Sequence, residues 1–277
     1  LIMVAGTAYC LTKFKNMEAG MKKFMKMFMY CGISTTFWGF MFGSFFGDAV
    51  NVIATTFFNR PDIRLAPLWF EPVSLPMKLL VFAFGLGILH LFIGLGIKFY
   101  SCVKNGSLAD GIYDAIFWYM LVGGGIVYLL TMSMFTEMLG LTFTLPAVAG
   151  TVAAYAAAIG FVGIVLTSGR ESKNWVKRIL KGLYGAYGVS SYLSDILSYS
   201  RLLALGLATS VISTVFNKMG SMMGGSIPGA IIFILVFLIG HSLNLAINAL
   251  GAYVHTNRLQ YVEFFGKFYE GGGRKFE

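Results

Sequence analysis

Charge is scarce in this 277-residue chain. Asp, Glu, Lys and Arg together supply 12% of the residues, where a soluble domain carries about 25%. Acids are the scarcest: 12 Asp and Glu face 21 Lys and Arg, for a net charge of +9. The three cysteines, Cys10, Cys31 and Cys102, are far apart and lie in or beside apolar runs. That spacing excludes a disulfide framework and a cysteine metal site, and leaves packing as their role. No P-loop motif and no catalytic triad is found, so the chain is read as non-catalytic and without a cofactor. The basic excess does not point to nucleic acid. Most Lys and Arg flank apolar runs, where they set topology and meet the anionic lipid of a bilayer.

What the chain has is apolar length. Hydrophobic residues make up 57% of it, and its mean hydropathy is +0.75. Several runs reach the ~20 residues that cross a bilayer as a helix, and no alternating pattern suggests a barrel. The expected fold is an all-α polytopic membrane domain with two long, tilted C-terminal helices. Spans are predicted over 27–48, 76–98, 110–133, 146–167, 190–219 and 227–269, with 1–12 as the end of a truncated one. The last is too long for a bilayer and must tilt or project. The chain opens at Leu1 inside an apolar run without the flanks of a signal peptide, so it reads as a piece of something longer.

Charge gives a direction. Segments 13–26, 98–109, 168–181 and 258–277 hold sixteen Lys and Arg, and the alternate segments 49–75, 134–145 and 218–226 hold three. By the positive-inside rule the C-terminus is cytoplasmic. Segment 170–189 interleaves Lys173, Lys177, Arg178 and Lys181 with Trp175, Ile179, Leu180 and Leu183, and reads as an amphipathic helix on the cytoplasmic face. Gly39, Gly43 and Gly47 read as a small-residue ridge for close helix packing. His90, alone in an apolar span, reads as a satisfied structural histidine. The outer loop 49–75 has room for a short hairpin or helix.

One charge stands out. Arg201 sits within the apolar run 190–216, where a guanidinium costs about 2.5–3.5 kcal/mol or more and cannot shed its proton. Its partner must be found. Asp195 is on a different face of the same helix; Asp110, Asp114 and Glu137 are candidates on others. Tyr184, Tyr187, Ser191, Ser194, Ser198 and Arg201 follow a 3-4-3-4-3 spacing and line one face. His241, Asn244, Asn248, Gly251, His255 and Arg258 repeat that spacing on the last helix, which runs the other way. Arg201 lies about 16 Å into its span at ~1.5 Å per residue. Asn244 and Asn248 lie about 26 and 32 Å past Ile227 by the same rise. Two offset hydrophilic half-paths with a fixed cation between them fit these positions. Serine stripes that only glue helices are the bland alternative.

Three stretches carry a family resemblance. Residues 191–208 (SYLSDILSYSRLLALGLA) resemble the penultimate membrane helix of the a subunit of V-type rotary ATPases, called subunit I in bacteria and archaea. Residues 255–273 (HTNRLQYVEFFGKFYEGGG) resemble the end of that family's last helix, and residues 31–48 (CGISTTFWGFMFGSFFGD) resemble an upstream signature. The resemblance implies a stator beside a rotating proteolipid ring (the c or K ring), in a bacterial plasma membrane. Arg201 matches the family's essential arginine and Arg258 its second arginine. Ser191, Ser194 and Ser198 become candidates for the inner path. His241, Asn244, Asn248 and His255 become candidates for the outer one. The organisation implied is 1–169, truncated membrane helices; 170–189, the connector; and 190–277, two ion-path helices facing the ring. A large cytoplasmic N-terminal domain that meets the peripheral stalks would be missing. Eukaryotic relatives have histidine at Thr209 and glutamate at Asn248, so their relay residues do not carry over. A stand-alone secondary transporter is one competing reading, and it calls for internal repeats, which are not found; a structural membrane scaffold whose arginine is neutralised internally is the other.

Overall fold

The computed structural model describes residues 2–13, 18–63, 66–141, 145–169 and 174–269. Among these every regular element is a helix. In order they are α1 (Ile2–Lys13), α2 (Ala19–Phe42), α3 (Ala49–Phe57), α4 (Pro76–Lys104), α5 (Leu108–Gly111), α6 (Gly124–Thr131), α7 (Ser133–Met138), α8 (Ala147–Thr167), α9 (Trp175–Tyr187), α10 (Val189–Ser198), α11 (Ser200–Ser221) and α12 (Ile227–Arg258). Two π-helical turns, Ile112–Ile116 and Tyr119–Gly123, fuse α5 and α6 into one 24-residue rod, Leu108–Thr131.

Five rods are long and apolar enough to cross a membrane: Pro76–Lys104, Leu108–Thr131, Ala147–Thr167, Val176–Ser221 and Ile227–Lys267. The chain is an integral membrane protein. Its last two rods are 46 and 41 residues long. At ~1.5 Å per residue each is at least twice the ~30 Å hydrocarbon core. The amphipathic segment is absorbed into the first of them as α9, with Lys173 outside the described residues. The expected span over 27–48 is not among the five. Its helix α2 begins early, at Ala19, and so takes in Lys22, Lys23 and Lys26.

Backbone conformation also corrects the glycine ridge. Gly43 adopts φ +65° and ends α2, and the Ser44 N–H returns to the Gly39 carbonyl at 3.1 Å. This is the left-handed C-terminal cap that glycine accepts without steric cost. Gly47 has φ +68° beyond the helix. The three glycines therefore stop a helix and shape a turn; they do not form one continuous helical face. Segment 49–75 forms α3 and then a turn at Asn59 (φ +52°), with Arg64 outside the described residues.

The chain divides into two compact units. The first is Leu1–Leu75 with Gly206–Ala249, and the second is Pro76–Leu205 with Leu250–Glu277. In the second, α4 buries Leu79, Ala83, Gly87, Leu91 and Leu95 along one four-residue ridge. Leu91 and Leu95 join Val122 and Ile196 in its core, with Trp118 and Tyr192 packed on them. In the first, Gly220 and Gly240 admit the rings of Phe233 and Phe216 against their backbones. Any side chain there would hold α11 and α12 apart.

Candidate functional site

Arg201 has a partner within the second unit. Its Nη1 lies 3.3 Å from Oε1 of Glu263, with the arginine side chain 25% exposed and the glutamate 4%. The contact uses one nitrogen and one oxygen, so it lacks the two-pronged geometry that makes Arg–carboxylate pairs strong. Glu263 Oε2 is buried and has no hydrogen-bond partner. At 3.3 Å and an effective dielectric of 20, the attraction is about 5 kcal/mol before desolvation.

A second ion pair joins Asp195 and Lys267. Lys267 Nζ also lies 3.9 Å from the centre of the Tyr192 ring, which stacks on Trp118 at 4.5 Å. In an unbroken α-helix Asp195 and Arg201 would sit about 120° apart around the axis, yet both meet the segment 263–267. Two irregularities explain this. The helix breaks at Tyr199, whose N–H bonds to Ile196 and whose carbonyl accepts from Leu202, both in three-residue steps. The last helix passes into a π-turn over Leu259–Phe264 and a 3₁₀ turn over Phe265–Lys267. Turns of the π type inside helices are frequent at functional sites.

Tyr199 itself is buried. Gly87 of α4 leaves room for its ring, and its hydroxyl lies 2.5 Å from His90 Nδ1. The His90 ring stacks on Phe264 at 4.0 Å. His90 thus pins both irregular segments, in the structural role read from the sequence.

The first unit holds a different cluster. The turn Gly43–Asp48 carries a second strained residue, Phe46 at φ +53°. That turn aims the Phe46 carbonyl and the Asp48 carboxylate at Asn217, whose Nδ2 donates to both, at 2.7 and 3.0 Å. Two acceptors at one end of an amide fix its orientation. The Asn217 oxygen therefore faces His241, whose Nε2 donates to it at 2.9 Å. The His241 ring sits between Phe46 and Phe237, with centroids 5.1 and 4.3 Å away. Next along α12, Thr209 Oγ1 donates to Asn248 Oδ1 at 2.6 Å, and Asn248 Nδ2 donates to Asn244 Oδ1 at 2.5 Å. Asn244 Nδ2 donates to Ser213 Oγ at 2.7 Å, and Ser213 donates back to the Thr209 carbonyl at 2.8 Å. This neutral circuit closes on itself.

Beside it lies a cavity of about 350 Å³ bounded in part by Asp48, Asn51, Glu71, Ser210 and Thr214. The Asn51 side-chain oxygen is buried without a hydrogen-bond partner.

The remaining expected residues are open. Ser191 and Ser194 are exposed on α10, and Ser198 is half-buried with its hydroxyl bonded back to the Ser194 carbonyl at 3.0 Å. Arg258 is exposed and His255 half-buried; neither has a side-chain partner among the described residues. Sequence reasoning missed Glu263, Lys267, Asn217, Ser213 and Asp48. A signal for the first existed: Asp195 and Glu263 are the only acids between 190 and 269.

Residues 189–277 match the V-type ATPase 116kDa subunit family. The chain is similar to the A-type ATP synthase subunit I of Methanocaldococcus jannaschii, at 33% identity over 95% of this chain and 39% of the relative. It resembles that of Thermococcus kodakarensis at 32%, over 95% and 37%. The V-type ATP synthase subunit I of Chlamydia trachomatis is 24% identical over 92% of this chain and 43% of the relative. The chain spans about two fifths of the length of these relatives.

Proposed function

The chain belongs to the V/A-type ATP synthase subunit I family, as the C-terminal membrane portion, and on that premise we propose that it is the ion-path stator of a rotary ATPase. Arg201 is the fixed cation facing a carboxylate on each passing subunit of a proteolipid ring. Arg258 is a second cation on the facing helix. The observation that carries the reading is the Arg201–Glu263 contact: a cation deep in an apolar segment, held by one oxygen of one carboxylate.

The chemistry is an exchange of partners. A neutral ring carboxylate, holding its ion, approaches Arg201. The guanidinium favours the ionised form, so the ion leaves and the carboxylate takes the place of Glu263. The ring carboxylate replaces the attraction Glu263 gave up, while the buried Glu263 charge left without its partner is costly and draws Arg201 back once the ring carboxylate moves on. Glu263 keeps Arg201 charged and placed between encounters. A fixed cation also repels a cation passing straight through, so transport requires ring rotation.

Ser191, Ser194 and Ser198 belong to the path on the cytoplasmic side. His241, Asn244, Asn248 and His255 belong to the path on the other side, with Asn217, Asp48 and the cavity beside them as an entrance. The cavity's carboxylates and hydroxyls suit a hydrated cation, which supports the outer assignment. The cytoplasmic orientation of the C-terminus rests on the charge asymmetry. No bond chemistry occurs in this chain; ATP is handled by other subunits. The longer protein's cytoplasmic domain meets the peripheral stalks.

Cross-linking tests the facing surface. With Cys10, Cys31 and Cys102 replaced, a cysteine at Ala208 should form a disulfide with one placed on the ring's carboxylate-bearing helix. A cysteine at the exposed Val152 of α8 should not. Equal yields at the two positions would contradict the assignment of the last two long helices to the ring.

A further inference from the structure

We infer that Lys267 is a positioning residue that keeps Arg201 available by neutralising Asp195. The inference rests on the proposed role of Arg201. Four charges share one small region of the second unit: Asp195 and Arg201 on one segment, Glu263 and Lys267 on the other. They sort into two pairs of unequal character. Both side chains of the Asp195–Lys267 pair are largely buried, 17% and 11% exposed. The lysine is further fixed over the Tyr192 ring, and Tyr192 and Trp118 pack on the core of Leu91, Leu95, Val122 and Ile196. The Arg201–Glu263 pair is a single 3.3 Å contact on a quarter-exposed guanidinium.

The buried pair sets the terms for the loose one. Asp195 and Arg201 both face the last helix, because the break at Tyr199 turns them there. With Lys267 neutral, the buried Asp195 carboxylate loses its partner, and leaving such a charge unpaired is costly. The next cation on its own segment is Arg201. Arg201 would then serve two internal carboxylates, and an arriving ring carboxylate would meet a cation already neutralised. Lys267 therefore allocates charge: it occupies Asp195 so that Arg201 is left with one weak internal partner. It also ties the 3₁₀ turn to the core, which fixes Glu263 one turn away.

The test uses the complete subunit in the assembled ATPase, reconstituted into vesicles. The readout is ATP-driven radiosodium uptake, or quenching of a proton-gradient dye, per ATP hydrolysed. Lys267→Met should lower that ratio about tenfold, a coupling typical of residues in one charge network, with subunit content unchanged. Asp195→Asn combined with Lys267→Met should restore it to within about twofold, because no stray carboxylate remains. Lys267→Arg should retain most of it. A Lys267→Met complex that transports normally overturns the inference, as does a double variant no better than the single. Should Lys267→Met fail to assemble, the double variant alone decides: near-normal coupling supports the inference, and a loss of about tenfold or more overturns it. Arg201→Ala separates the two levels. If it transports normally, the stator reading fails; if it does not transport while Lys267→Met does, only the role of Lys267 fails.

Discussion

The two polar clusters differ in kind. The one built on Asn217, His241, Asn244 and Asn248 is mostly neutral, nearly every donor and acceptor in it is paired, and aromatic rings enclose its histidine. The one built on Asp195, Arg201, Glu263 and Lys267 is fully charged, rests on two ion pairs, and leaves an oxygen of Glu263 buried and unpaired. A satisfied neutral network holds one geometry well and has little reason to change. A charged cluster with one loose pair and one spare oxygen is poised to change partners. The comparison teaches where to look for switching: at the charge whose internal partner is weakest.

Breaking the neutral cluster at its foundation should have the largest effect on stability. Gly47→Ala places a methyl group 2.7 Å from Ser213 Cβ at φ +68°. Left-handed strain and overpacking together should cost about 2–4 kcal/mol, read as a lower thermal unfolding midpoint of the purified subunit. Asn217→Leu comes next. It leaves the buried His241 N–H, the half-buried Asp48 carboxylate and the Phe46 carbonyl without this partner, at about 2–3 kcal/mol by the same measurement. Equal stability for Asn217→Leu and wild type would mean that the network holds nothing together.

Smaller effects sharpen the contrast. Glu263→Gln keeps shape but removes the charge that holds Arg201, and should cost about 1–2 kcal/mol in stability. It should reduce coupled ion uptake far more than the unfolding midpoint, because the pair is loose and its role is transfer. A fall in the midpoint with intact uptake would make Glu263 a structural counter-ion only. Ser198→Ala should be the mildest, within about 0.5 kcal/mol, because its hydroxyl already bonds to the Ser194 carbonyl one turn back. A large stability loss there would show that the serine stripe is glue, contrary to its assignment to the inner path.

Much of this was legible in the sequence. Apolar length gave five of the six full spans expected, and the cost of a buried guanidinium singled out Arg201. The spacing of His241, Asn244 and Asn248 put them on one face, and the structure keeps them there. What was not legible depended on departures from regular helix. Helical spacing treats Gly39, Gly43 and Gly47 as one ridge, because it has no term for a left-handed residue at Gly43. It puts Asp195 and Arg201 on different faces, because it does not register the break at Tyr199. It stops at Arg258, because the π-turn that brings Glu263 to Arg201 has a different period. Partners far apart in sequence, such as Asn217 with Phe46, depend on packing that no local pattern encodes.

Arg201 is proposed to exchange an internal carboxylate for one on another chain. The most direct measurement is ATP-driven ion uptake into vesicles by the assembled complex carrying Arg201→Ala, with Arg201→Lys beside it. The expected complexes have normal subunit content, with uptake abolished by Arg201→Ala and greatly reduced by Arg201→Lys, since lysine keeps the charge and loses the planar fork. Normal coupled uptake by Arg201→Ala would contradict the exchange.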